Sequence, residues 1–273
     1  MSAAASPSEH QRAHGDLHVT MKLREGRTVL DDLRQQGCLK ARFPRPPGWA
    51  EVVTLNTSGG VAGGDTLRTT LRVRHGASAS FAAQAAERFY RALPEDPPAH
   101  IRTSLAVEPG AAAEWLPQES ILFESCALDR TLHVELAADA WFLGVESLVF
   151  GRALMGERVA NCRLHDRIRI DRAGQPLLHD AIRLHGPAYA LARPAIAAGA
   201  GALATLVLVA PDADSRLAPL RAAWKNNDAG ASAWNGMLLA RVTAADGAAL
   251  REAVLAALAC LRGPRPLPRV WMC

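Results

Sequence analysis

A glycine-rich segment at residues 56–65 is the part of the chain whose residue types and spacing come nearest to a chemical motif. Counted from Gly59, glycines stand at the first and sixth positions and a threonine at the eighth, which is the outline of a phosphate-binding loop. Such a loop has a lysine at the seventh position, where it meets the phosphates, but here that residue is Asp65. Because a carboxylate repels phosphate, the segment does not predict nucleotide binding.

The glycines are instead explained by the backbone geometry of a tight turn. Residues 52–55 read as an apolar strand, and a tight turn after a strand needs positive φ angles and close backbone approach, which glycine permits. We therefore predict a structural loop that contains Gly59, Gly60, Gly63 and Gly64, with Asp65 as its single carboxylate.

Other catalytic and metal-binding patterns find little support in the residue spacing. There is no Gly-x-Ser-x-Gly elbow and no His-x-x-x-His pair on a predicted helix. Five scattered cysteines without a Cys-x-x-Cys pair argue against a disulfide framework and a structural zinc site. Cys126 with His133, or Cys162 with His165, could chelate a metal, but such pairs are more often ordinary core or surface residues. A carboxylate pair for glycoside chemistry stays open, because spacing in sequence does not report distance in space.

Composition limits the classes of partner. The formal net charge is +4, but the basic residues are dispersed among carboxylates and aromatic residues make up only 5%, so nucleic-acid binding is not favoured. No stretch reaches the roughly 18 uninterrupted apolar residues of a membrane span, so no membrane role is expected. The first 16 residues lack the apolar region of a signal peptide. We expect residues 1–16 to be a flexible tail and the protein to be cytoplasmic.

The middle of the chain repeats a unit of strand, tight turn and second strand. The first strands of the four copies contain Val73, Val107, Val134 and Ile170, at spacings of 34, 27 and 36 residues. Apolar and charged residues alternate within them, as a half-buried strand requires. Stacked copies would bury a continuous core, which predicts a layered, mainly β architecture. A sandwich of ordinary hairpins is the alternative.

The last third of the chain changes character. Residues 204–210 and 237–242 read as strands, whereas residues 215–225 and 248–261 read as helices. The second helix has Asp246 before it and Gly263 behind it, which are typical helix boundaries. With no evident linker, we predict a single α+β domain over residues 17–273, dominated by strands and with about two helices in its last third.

Several short segments, taken together in their order, resemble one protein family. They are residues 59–65, 84–91, 115–123, the Gly151-Arg152 and Gly156-Glu157 pairs, and residues 267–271. This set is similar to the landmarks of the urease accessory protein UreD, called UreH in some organisms, and it spans residues 26–271. The chain departs from the family pattern at Cys38, where proline is expected, and at residues 56–58, which replace a histidine–proline run.

The resemblance implies a non-catalytic protein that binds the accessory protein UreF, the GTPase UreG and the urease apoprotein, and that assists nickel delivery. It implies no tightly bound cofactor, with nickel as a transient cargo. The motif positions it marks as candidates for partner or nickel contacts are Asp65, Glu87, Tyr90, Gln118, Glu119, Glu146, Arg152 and Glu157.

A nickel route needs donors that bind the ion and also release it. We expect Asp65, Glu119 and Glu146 to face such a passage, because they occupy loop or second-strand positions of the repeated unit. The alternative is that these carboxylates bind arginines or cap turns. An interaction module unrelated to urease, or an unrecognised hydrolase, is the other functional reading.

Overall fold

The computed structural model describes residues 11–46, 48–152, 155–157, 159–187, 191–194, 196–224 and 228–272. Most of these residues form strands, and two α-helices lie in the last third, as the sequence predicts. The strands are β1 (His14–Arg24), β2 (Arg27–Gly37), β3 (Leu39–Arg42), β4 (Ala50–Asn56), β5 (Thr66–Val73), β6 (Ser78–Ala83), β7 (Glu87–Phe89), β8 (Ala99–Val107), β9 (Ala112–Leu116), β10 (Ser120–Leu122), β11 (Ala127–Leu136), β12 (Trp141–Phe150), β13 (Asn161–Arg172), β14 (Gln175–Pro187), β15 (Ala202–Val209), β16 (Asp228–Trp234) and β17 (Met237–Ala244). The helices are α1 (Ala213–Ala223) and α2 (Gly247–Arg262), and a 3₁₀ turn spans Arg269–Met272.

The strands form two sheets. Sheet A has the order β14-β13-β11-β8-β5-β1-β2, and sheet B has the order β16-β17-β15-β12-β9-β6-β4-β3. In sheet B, β10 also pairs with β12, and β7 pairs with β10. Neighbouring strands are parallel from β1 to β13 in sheet A and from β4 to β12 in sheet B. The outer strands of both sheets pair antiparallel.

Three consecutive units, β5–β6, β8–β9 and β11–β12, each cross from sheet A to sheet B through a tight turn and stack in parallel. Backbone hydrogen bonds continue the stack through the turns. Ala112 N donates to Ala77 O at 2.9 Å and Trp141 N donates to Ala111 O at 3.1 Å. The predicted stacked arrangement is therefore confirmed for these three copies, and the hairpin sandwich is wrong for them. The predicted fourth copy, at Ile170, is wrong, because β13 turns back into β14 of the same sheet as an antiparallel hairpin and does not cross to sheet B.

The pairing register of the later copies differs by two residues from the one that the repeated unit predicts. Val73 pairs with Val107 as predicted, but Val107 pairs with Leu136, not with Val134. Val134 and Ile170 do pair with each other. A shift of two residues keeps the same face of the strand inward, so the period-two pattern could not detect it.

The main core lies between the sheets. Alternate residues of each strand point inward, among them the fully buried Leu71 and Leu105 of sheet A and Phe81 and Phe142 of sheet B. A second core lies on the outer face of sheet B, where both helices pack. The helices thus pack on the outer face of sheet B, and the main core fills the space between the two sheets.

The C-terminal third agrees with the sequence. β17 covers the second predicted strand, and β15 covers the first except for its last residue, Ala210. α2 begins after Asp246, whose side chain accepts a hydrogen bond from Ala249 N at 2.9 Å. α1 begins at Ala213, two residues before the predicted start. The predicted end of that helix at Lys225, together with residues 1–10 of the expected tail and Cys273, lies outside the described residues, and β1 begins at His14.

Candidate functional site

A cavity of about 280 Å³ lies between the two sheets, next to the glycine-rich loop. Sheet A contributes lining residues from β5, β8 and β11, and sheet B contributes them from β4, β6, β9 and β12. Gly59 and Gly60 border it at the loop. Two of the lining residues carry carboxylates, Glu87 and Glu146, and two carry guanidinium groups, Arg88 and Arg130.

A buried charge cluster crosses the interior at this cavity. Arg130 binds Asp166 through two hydrogen bonds of 2.8 and 2.6 Å, and its Nη1 donates to Ser120 Oγ at 2.8 Å. The same Nη1 lies 2.8 Å from Glu146 Oε2. That oxygen accepts no hydrogen bond from any described residue, so Glu146 is held to Arg130 by charge and not by a directed bond.

Strand register explains how these charges meet. Arg130 on β11 and Asp166 on β13 are direct neighbours in sheet A, and both occupy inward positions between apolar residues. Glu146 points inward from β12 of sheet B, where Trp115 Nε1 on the adjacent strand donates to its Oε1 at 2.8 Å. Sheet A therefore contributes Arg130 and Asp166 to the cluster, and sheet B contributes Glu146 across the core.

Burial dominates the protonation of this cluster. Burial raises the pKa of Glu146, although Arg130 opposes that change. Burial alone would lower the pKa of Arg130, but Asp166 and Glu146 outweigh it and raise that pKa. The guanidinium is therefore charged, and it faces two carboxylates whose combined charge exceeds its own when both are ionised.

Glu87 is the second carboxylate of the cavity. Its Oε2 accepts a hydrogen bond from Asn56 Nδ2 at 3.2 Å. Burial raises the pKa of Glu87, against the lowering effect of Asn56. A carboxylate that is desolvated in this way gains more from a nearby cation than an exposed one does.

Gln118 and Glu119 tie the cavity wall to the end of the chain. Gln118 lines the cavity, donates to Val270 O at 2.8 Å and accepts from Arg251 at 2.7 Å. Glu119 does not line the cavity and pairs with Arg251 at 3.0 Å. Trp271 completes the contact, since its Nε1 donates to Leu116 O at 3.0 Å.

Asp65 lies in the loop, not in the cavity wall. Its carboxylate is buried and accepts hydrogen bonds from Ala13 N and Ala62 N, both at 2.8 Å. It thus closes the turn and fastens the residues before β1 to it. Of the three carboxylates expected along one passage, the structure places only Glu146 at the cavity.

Tyr90 supports the glycine-rich loop from outside. Its hydroxyl donates to Gly59 O at 2.9 Å, and its ring packs edge-on against Phe123. Gly60 has a φ of 143°, and a Cβ there would lie 2.3 Å from the Tyr90 ring. This position therefore requires glycine for both its backbone angle and its space.

Arg152 and Glu157 form an exposed group beside the same aromatic pair. Arg152 Nε donates to Glu157 Oε2 at 2.6 Å, and its guanidinium lies 4.4 Å from the centre of the Phe123 ring. Glu157 also accepts from Glu124 N at 3.3 Å. These contacts join two loops at the surface.

Sequence reasoning missed Arg130 and Asp166. The available signal was a break in the period-two pattern: Arg130 stands where Leu128 and Leu132 predict an apolar residue, and Asp166 interrupts the inward row of β13. Such a break has meaning only once the inward face is known. Over the described part of the chain, no group of three or more His, Cys, Asp or Glu side chains is placed to hold a metal.

The cysteine–histidine pairs do not assemble. Cys126 and Cys162 belong to the inner core, whereas His133 and His165 occupy the alternate, outward positions of β11 and β13. His133 binds Asp171 there. Burial raises the pKa of Cys126 to about 12 and that of Cys162 to about 11, so both remain thiols near neutral pH. Neither helix of the described residues is long and apolar enough to cross a membrane.

The geometry defines a class of protein, a stacked two-sheet β protein with an internal charged cavity. Comparison with known protein sequences identifies the family within that class. The family model described as UreD urease accessory protein matches residues 13–272. A urease accessory protein UreD from Chelativorans sp. (strain BNC1) is 42% identical over 269 residues, which are 98% of this chain and 96% of the relative.

Two further relatives with the same name agree. The protein from Azorhizobium caulinodans is 42% identical and covers 98% of this chain and 99% of its own, and that from Ruegeria sp. (strain TM1040) is 46% identical and covers 95% and 90%. The chain belongs to the UreD family of urease accessory proteins. This match contradicts the reading of an interaction module unrelated to urease.

Proposed function

We propose that this protein is a non-catalytic member of the urease maturation assembly that binds UreF, UreG and the urease apoprotein and guides nickel through the cavity between its two sheets. The observation that carries the nickel route is the placement of Glu87 and Glu146 in one cavity. Both carboxylates are desolvated, so each has a reason to accept a passing cation.

The donor set suits a cargo that must leave again. Carboxylates are hard oxygen ligands, and a divalent transition metal binds them less tightly than it binds imidazole or thiolate. Glu87 is held by one amide and Glu146 by an indole and a guanidinium, so neither site is closed around an ion. We assign Asp65 and Glu119 to structural contacts, with the turn and with Arg251 respectively.

The surface groups suit partner contacts. Tyr90 is exposed, and Arg152 is half-exposed beside it, on the loop side of the cavity. Arg152 pairs within its own loop region through Glu157, so a partner carboxylate could replace Glu157 there. We propose this group as a contact with a component of the maturation assembly.

The nickel content of urease tests the route. Urease is produced with the full set of accessory proteins, and this chain carries either Glu146→Gln or Glu119→Gln, two substitutions of the same type. The proposal predicts that Glu146→Gln lowers nickel per urease active site, whereas Glu119→Gln, outside the cavity, has a smaller effect. Equal nickel contents for wild type and Glu146→Gln at equal protein levels would contradict the route.

Co-purification tests the assembly separately. A tagged copy of this chain should retain UreF, and deletion of the chain should abolish urease activation in vivo. A chain that retains no UreF and is dispensable for activation would contradict the assembly role, whatever the result with Glu146.

A further inference from the structure

Arg130 occupies the place that a cation would take beside Glu146. Its guanidinium is buried, faces the cavity, and stands between a carboxylate from each sheet. A metal ion and a guanidinium cannot both neutralise the same carboxylate oxygen at contact distance, because the two cations repel each other. Any cation that reaches Glu146 Oε2 must therefore displace Arg130.

We propose that Arg130 is a resident counter-cation that yields Glu146 to a passing divalent cation and then reclaims it, which makes the Glu146 site transient. This inference rests on the proposed nickel route and adds the residue that enforces release. It assigns a role to Arg130 and to its second partner, Asp166. Substitutions of these two residues are expected to change metal affinity in opposite directions.

The contacts of Arg130 are unequal in a way that permits the exchange. Its bond to Asp166 uses two nitrogens and two oxygens, the geometry that makes guanidinium–carboxylate pairs strong. Its contact with Glu146 is a single approach of 2.8 Å without a hydrogen bond. The weaker contact is the one that faces the cavity.

Arg130 keeps its other partners when Glu146 leaves. Asp166 holds Nε and Nη2, and Ser120 accepts from Nη1. Glu146 likewise stays oriented, because Trp115 binds its Oε1 and leaves Oε2 for the ion. The exchange needs only a small movement of one side chain, with no change of strand register.

The return of Arg130 prevents a tight site. With Arg130 removed, Glu146 and Asp166 would face each other as two uncompensated carboxylates, a far better trap for a divalent cation. With Asp166 removed, Arg130 would have Glu146 as its only remaining carboxylate and would hold it more firmly. The two substitutions should therefore change metal affinity in opposite directions.

Direct nickel binding tests the inference. Nickel chloride is titrated into the purified full-length chain in competition with a chromophoric chelator. We expect Arg130→Gln to bind nickel about tenfold or more tighter than wild type, and Asp166→Asn to bind it measurably more weakly. In the urease assay Arg130→Gln should lower nickel per active site even though the chain itself holds more.

Arg262→Gln is the matched control. Arg262 binds Glu114 through two hydrogen bonds of 2.9 Å, and both residues are buried, but the pair lies outside the cavity. Arg262→Gln should leave nickel affinity unchanged, although it should cost a similar amount of folding stability to Arg130→Gln. Equal affinities for Arg130→Gln and Arg262→Gln would overturn the inference.

Asp166→Asn keeps the test decisive if Arg130→Gln does not fold, since unchanged or tighter nickel binding in Asp166→Asn also overturns the inference. The outcomes separate the two proposals. If Glu146→Gln lowers urease nickel while Arg130→Gln and Asp166→Asn leave binding unchanged, the route stands and the counter-cation role falls. If Glu146→Gln has no effect, both fall.

Discussion

The indole of Trp115 and the carboxylate of Glu146 are joined by a hydrogen bond of 2.8 Å between neighbouring strands of sheet B. Both side chains point into the cavity between the sheets. This bond fixes one oxygen of Glu146 and aims the other at Arg130. The hydrogen bond therefore determines which oxygen of Glu146 is open to a cation in the cavity.

Replacing Trp115 with phenylalanine removes that donor and little of the apolar surface. We expect the substitution to cost about 1–3 kcal/mol of unfolding free energy, because it leaves a buried acceptor unsatisfied. It should also raise the pKa of Glu146 further, since the indole opposes the effect of burial. Urea unfolding monitored by circular dichroism measures the first effect. A variant as stable as wild type would show that water replaces the indole.

Glu87 predicts a dependence of stability on pH. Its pKa is raised in the folded chain, so the folded state takes up a proton at a higher pH than the unfolded state does. This group therefore opposes folding at neutral pH, and the penalty is relieved as pH falls through the folded-state pKa. Glu87→Gln should raise the thermal midpoint at pH 7 and flatten its pH dependence on the acidic side. A gain of about 1 kcal/mol corresponds to roughly 2–4 °C.

Glutamine keeps an oxygen that can accept from Asn56, so the hydrogen bond itself is not what the Glu87 comparison removes. Thermal unfolding of wild type and Glu87→Gln at pH 7 and at pH 5 shows whether the charge of Glu87 destabilises the folded chain. A midpoint that falls at pH 7 would mean that the negative charge of Glu87 stabilises the fold.

The glycine-rich loop supplies a paired test of backbone geometry. Gly59→Ala introduces a Cβ with nothing within 4 Å, at a φ of 81°, whereas Gly60→Ala brings its Cβ to 3.0 Å from Arg88 O and against the Tyr90 ring. Both carry the strain of a positive φ, on the order of 1–3 kcal/mol. Only Gly60→Ala adds a collision, so it should be the more destabilised by chemical unfolding. Equal losses would mean that the loop relaxes around either side chain.

Trp271 anchors the end of the chain to the cavity wall. Its indole donates to Leu116 O, and its own carbonyl accepts from Arg251 at 2.8 Å. Trp271→Ala should cost about 3–5 kcal/mol, as large-to-small changes in a core do. Trp271→Phe should cost less, because it keeps most of the packing. The comparison is made by urea unfolding, and a cost near zero for Trp271→Ala would place the tail outside the cooperative core.

The stacked fold was predictable because its signal is local. Alternating residues around Val73 and Val107 mark strands, and the glycine turns between them mark the crossings from sheet to sheet. The helix after Asp246 was equally visible through its cap. The strands β2 and β14 lie at the edges of sheet A, where both faces are partly exposed and the apolar pattern is weak.

The cavity was only partly predictable. Glu146 could be placed on a second strand of the repeated unit, where alternation limits its direction. Asp65 is in a loop, where position does not fix the direction of a side chain, and it turns towards backbone amides instead. Arg130 and Asp166 meet because their strands are adjacent in space while 36 residues separate them in sequence. Register between distant strands is a tertiary property, so sequence alone could not bring these charges together.

Blocking the cavity tests the nickel route most directly. Ala83 lines the cavity from β6, and Ala83→Phe would fill part of its volume of about 280 Å³ without replacing any charged group named above. Ala106→Phe, on β8 but outside the cavity lining, is the matched control. With UreF co-purification confirming that each variant is folded and assembled, nickel per urease active site is then measured. We predict a marked fall in nickel per urease active site for Ala83→Phe and none for Ala106→Phe. Full nickel loading with Ala83→Phe would contradict the nickel route.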